Sequence, residues 1–226
     1  MHDTYLSDKS TQRRAAVAGA VLAAATVLEI LAMAHHPSVH TPDVAQAVHA
    51  ISQLAPLGAW VHGVLQALLL IAAYGLSEFV LRRGLRRPLI RAGAIAYGVG
   101  VIAMLGAAMV SGFIIADLMT FTPHTTATDL QINAQLLVLC RVLNQSCANF
   151  GAVAMSAGIA LWSTDLLRDT GAPRIIGIVG LAVSVAPAFA LMFGLMHLDV
   201  PGMTAIIVLQ AVWNVAVGIA MMRSRI

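Results

Sequence analysis

The chain has 226 residues, 59% hydrophobic and 10% charged, with a mean hydropathy of +0.86 and a formal net charge of +3. A soluble domain carries roughly 25% charged residues, so this composition excludes a soluble enzyme on one core and a disordered chain; two cysteines exclude a disulfide scaffold. Only 13 residues are Lys or Arg, 12 of them Arg, which with abundant alanine points to a GC-rich bacterial genome and gives no sign of nucleic-acid binding.

A hydrocarbon core about 30 Å thick takes roughly 20 apolar residues per helix. Six stretches qualify: Ala15–Ala34, Ala55–Leu81, Ala92–Asp117, Ala134–Trp162, Ile175–Met196 and Met203–Met222. They are continuously apolar, without the period-two alternation of barrel strands. The expected fold is all-α, a single polytopic domain of six transmembrane helices over residues 1–226.

Lys9, Arg13 and Arg14 precede the first span. That span ends in Ala32-Met33-Ala34, which resembles a signal-peptide cleavage site. The apolar run exceeds the usual 7–15 residues and Glu29 lies near the cut, so a retained helix is expected. In the connection 35–54, Thr41-Pro42-Asp43 reads as N-cap, first-turn proline and first-turn acid. Val44, Ala47, Val48 and Ile51 then recur at helical spacing, predicting a short amphipathic helix outside the bundle.

Glu78, near the end of the second span, is expected to pair with Arg82 at i, i+4. Arg82, Arg83, Arg86, Arg87 and Arg91 separate the second and third spans. The third span carries a small-residue ladder, Ala92, Ala96, Gly100, Ala108 and Gly112, for close helix approach. Residues 118–133, with Pro123 and several Thr, read as an irregular loop. Arg168 and Arg174 separate the fourth and fifth spans, Pro187 is expected to kink the fifth, and His197–Gly202 reads as a tight turn. Arg223 and Arg225 close the chain. Twelve of the 13 cations thus fall on one side, while the connections 35–54, 118–133 and 197–202 have none. The positive-inside rule then puts both termini in the cytoplasm and the chain in a bacterial plasma membrane.

The thirteenth cation, Arg141, lies within a span, and it is not the only polar group there. Glu29 shares a stripe with Thr26, Met33 and His36. His62 and Gln66 lie at i, i+4; Arg141, Gln145 and Asn149 at i, i+4, i+8, beside Asn144; Gln210 and Asn214 flank Trp213. Counted at about 1.5 Å per residue, these groups sit roughly 7–17 Å below the outer edge, a shared polar layer. Polar groups at that depth face the bundle interior or a cavity. An Arg141–Glu29 pair is expected, because Glu29 is the one acid at matching depth.

Seven histidines, His35, His36, His40, His49, His62, His124 and His197, fall outside or in the outer half-helices. Met33, Met119, Met192, Met196 and Met203 share that level. Imidazole with thioether suits copper, and imidazole with carboxylate suits zinc. The candidate ligands are His35, His36, His40 and His62. Cys140 and Cys147, about 10.5 Å apart along one helix, cannot pair with each other.

Pro173-Arg174 entering the fifth span, Gly177 and Gly180 within it, and Gln210-x-x-Trp213 before Gly218 resemble a family of bacterial six-helix membrane proteins carried as a domain of unknown function. The resemblance implies the fold and no activity. Three functions therefore compete. In the first, the outer polar pocket binds or transports a small amphiphilic ligand, lipid or ion. In the second, it belongs to a membrane-embedded enzyme acting on a lipid-like substrate, with Glu29 or His62 as base beside Arg141; in the third, it is a packing network in a structural subunit.

Overall fold

The computed structural model describes residues 2–39, 41, 43–121 and 126–226. These form six long helices: α1 (His2–Ala34), α2 (Val44–Arg83), α3 (Pro88–Phe121), α4 (Ala127–Leu166), α5 (Ala172–Met192) and α6 (Val200–Met222). Each is long and apolar enough to cross a membrane. Each packs on the next in chain order, and α6 closes onto α1, so the helices form a ring. Arg14, Arg83, Arg87 and Arg223 mark one end of this ring, the arginine-rich end. Residues 35–39, Asp43, Thr126 and residues 193–199 mark the arginine-poor end.

The outer wall is apolar. Trp60, Ile95, Ile102 and Val138 are each more than 60% exposed (64%, 64%, 71% and 62%). Such a girdle is too extensive for water and suited to lipid. Inside, Trp162 stacks on Trp213 at 5.9 Å, and Phe79 meets both edge-on. These rings belong to α2, α4 and α6, so aromatic packing crosses the ring near its arginine-rich half.

Close approach of α3 and α4 depends on glycine, although the face differs from the expected ladder. A Cβ on Gly100 would run into the Gly151 carbonyl oxygen, and one on Gly151 into that of Gly100. Gly93 and Gly158 repeat the reciprocal contact one heptad away. Ala92 is exposed, so the seam follows Gly93, Gly100 and Ala107 at seven-residue spacing, the period of a left-handed crossing.

Helix boundaries moved where capping chemistry outweighs hydropathy. Asp43, not Thr41, caps α2: its Oδ1 accepts the Gln46 N–H at 2.7 Å. The amphipathic segment is therefore the first turns of α2, continuous through Pro56, and no separate helix forms. The expected loop 118–133 is mostly helical. α3 runs to Phe121, and α4 starts behind a capping box in which Thr126 and Asp129 exchange hydrogen bonds of 3.0 and 3.1 Å. α5 stops at Met192, ahead of Gly194 at positive φ, and Asp199 caps α6 through the Gly202 N–H. The expected turn at His197–Gly202 is thus a cap and a first helical turn.

Candidate functional site

α3 is regular to Met109, passes through a π turn at Val110–Ile114, and resumes as α-helix at Ile115. A π turn widens the helix and disturbs its bonding ladder, and such turns recur at functional sites. Here it bulges beside His62. Gly112 sits against that side chain, where a Cβ would overlap the His62 Cβ and ring. Asn144 on α4 donates to Ala107 O at 3.2 Å, supplying a partner to a carbonyl just before the bulge.

Below this point the ring encloses a cavity of about 340 Å³. Its wall is mostly apolar, built from residues such as Leu65, Met104, Ala108, Ala152 and Ile206. Among the expected polar residues, Glu29, His62, Gln66, Arg141, Asn144, Gln145, Gln210 and Asn214 all line it. Asn149 does not: it is exposed, because the i, i+8 step carries it off the inner face of α4.

Most of the amides are already partnered. Gln145 donates to Leu198 O at 2.8 Å, tying α4 to the connection before α6. Gln66 reaches Leu105 O at 3.5 Å, and Gln210 reaches Ser156 Oγ at 3.4 Å. Asn214 is the exception. It is buried, and its Oδ1 has no hydrogen-bond partner among the described residues.

The expected Arg141–Glu29 pair is absent. Both side chains line the cavity, yet the ion pairs among the described residues all lie elsewhere, at the arginine-rich end. The ring explains this. α1 packs on α2 and α6 while α4 packs on α3 and α5, so the two charges face one another only across the cavity. Glu78 also departs from expectation, pairing with Arg14 of α1 at 3.2 Å; Arg82 instead donates from Nε to Ile226 O.

Of the expected metal ligands, two come together. His36 and His62 approach with Nε2 atoms 3.3 Å apart. His35 is exposed and bonds Leu31 O on its own helix, because one residue's step turns it away from His36. His40 and His124 lie outside the described residues. Among those described, no group of three His, Cys, Asp or Glu side chains is placed to hold a metal ion. Cys140 and Cys147 are free thiols, as expected.

A second polar cluster was not anticipated. Asp165, fully buried, accepts from Arg83 at 2.5 and 3.1 Å and from Arg87 at 3.0 Å, while Asp169 takes Arg83 Nη1 at 2.6 Å. Hydropathy ended the fourth span at Trp162, which left Asp165 in a connection. The i, i+4 spacing of Asp165 and Asp169 matching that of Arg83 and Arg87 was the available signal. Comparison with protein families, curated proteins and solved structures finds no match to this chain.

Proposed function

We propose that this protein is a multi-pass protein of a bacterial plasma membrane, with its arginine-rich end in the cytoplasm. Its cavity, in the outer half of the bundle, binds a small amphiphile. The observation that carries this reading is the mismatch between wall and rim. A mostly apolar wall faces Glu29, Arg141 and the Asn214 Oδ1, none of which has an ion-pair or hydrogen-bond partner among the described residues. Unpaired polar groups beside apolar surface are costly unless something completes them.

The matching ligand has an apolar body and a head that combines an anionic group for Arg141 with hydrogen-bond donors for Glu29 and Asn214. Single-chain zwitterionic lipids have that chemistry. Predominantly apolar pockets of roughly 300–1,000 Å³ with a few convergent polar groups are the usual form of small-molecule sites. The bilayer is the partner that delivers such a ligand.

The test is mass spectrometry of lipids co-purified with the protein from its own membranes. Wild type should retain a single-chain or small amphiphile near one per chain. Ala108→Leu, which fills the cavity, and Arg141→Leu, which removes the anion partner, should each lose most of it. Equal lipid recovery from all three proteins would sink the proposal.

A further inference from the structure

The rings of His36 and His62 meet with centroids 4.8 Å apart at 74°. The far nitrogen of each ring faces a carbonyl oxygen: His36 Nδ1 lies 2.8 Å from Pro37 O, and His62 Nδ1 lies 2.8 Å from Gly58 O. A carbonyl only accepts, so both Nδ1 atoms carry the hydrogen. In neutral imidazole that leaves a bare lone pair on each Nε2. Two lone pairs therefore meet at 3.3 Å, an arrangement that a cation between them resolves.

The separation bears on which cation. A proton shared between them would make one ring a cation, and hydrogen bonds from a charged donor run shorter, about 2.7–2.9 Å, so a shared proton fits poorly. Imidazole nitrogens bind a d¹⁰ ion at roughly 2.0–2.1 Å, and an ion at that distance from two donors 3.3 Å apart subtends about 107°. That angle belongs to three- or four-coordinate binding.

Both rings are braced. The Nδ1–H bonds to backbone fix tautomer and orientation, as outer partners do for metal-bound histidines. Gly112 in the π turn closes against His62 from the other side. Met33 precedes His36 by one helical turn, and the His36 N–H bonds Met33 O at 3.1 Å. Met33 is buried and lines the same cavity as both histidines. Two imidazoles with a thioether, and no carboxylate or thiol completing the set among the described residues, select a soft monovalent ion over zinc.

We propose that His36 Nε2, His62 Nε2 and the Met33 thioether bind one Cu(I) ion at the arginine-poor mouth of the cavity. This site does not depend on the amphiphile reading, since its ligands are complete without one.

The full-length protein, stripped with a Cu(I) chelator, is titrated anaerobically with Cu(I) against bicinchoninate. One ion should bind per chain, and X-ray absorption should show two nitrogen neighbours and one sulfur. His36→Gln and His62→Gln should each weaken binding by at least the roughly 100-fold that even loss of outer partners reaches, and Met33→Leu should remove the sulfur signal. His35→Gln should change nothing. Wild type binding Cu(I) no more tightly than the His36→Gln/His62→Gln double variant would overturn the site. So would a wild-type absorption spectrum without sulfur, a measurement that needs no variant to fold.

Discussion

Asp165 is fully buried with Arg83 and Arg87 on one of its oxygens, and its other oxygen, Oδ1, has no hydrogen-bond partner among the described residues. Such a cluster joins the end of α2, the start of α3 and the end of α4, so it staples three helices at the arginine-rich end. Removing the buried acid leaves two guanidinium groups short of a counter-charge, which typically costs about 3–5 kcal/mol. Asp165→Asn should therefore lower the unfolding free energy in detergent by that order. Asp169→Asn, whose carboxylate is 31% exposed, should cost about 1 kcal/mol or less. Equal effects of the two substitutions would show that Asp165 is not the staple. His36 differs in kind: burial pushes its imidazole below its ordinary value of 6.5, partly offset by the bond to Pro37.

At the scale of elements, hydropathy placed all six helices but not their ends or their seams. Span cores were legible because lipid demands about 20 apolar residues whatever the neighbours. Ends were set by side chains such as Asp43 and Thr126, which accept hydrogen bonds from the first turn and extend α2 and α4 well beyond their apolar runs. The seam was misread for a related reason. Ala92, Ala96 and Gly100 do share a four-residue spacing, but which face meets α4 depends on the partner's glycines, and those repeat by seven. The Gly100–Gly151 contact admits no side chain, because the facing atoms are carbonyl oxygens on rigid backbone. Gly151→Leu should separate α3 from α4 and destabilise the protein by more than the 1–3 kcal/mol typical of core overpacking, read as a fall in melting temperature. Ala92→Leu, on the exposed face, should leave that temperature unchanged. A tolerated Gly151→Leu would contradict the seam.

For the whole molecule, the ring closure of α6 on α1 is what creates the site. Of the nine polar residues singled out on α1, α2, α4 and α6, eight line the cavity. Their partners were not readable, since depth along a helix says nothing of azimuth: Glu29 stands on α1 and Arg141 on α4, helices that are not neighbours in the ring. The π turn, which brings Gly112 against His62, left no hydrophobic signature. The central claim is a cavity open to the outer side that holds an amphiphile, and Ser111, in the π turn on the cavity wall, reports on it most directly. Ser111→Cys is introduced with Cys140→Ala and Cys147→Ala, and intact cells are treated with a membrane-impermeant thiol reagent, with and without lysophosphatidylethanolamine. The account predicts labelling from outside that the lipid suppresses. Labelling only in inverted vesicles, or labelling that the lipid leaves unchanged, would contradict it.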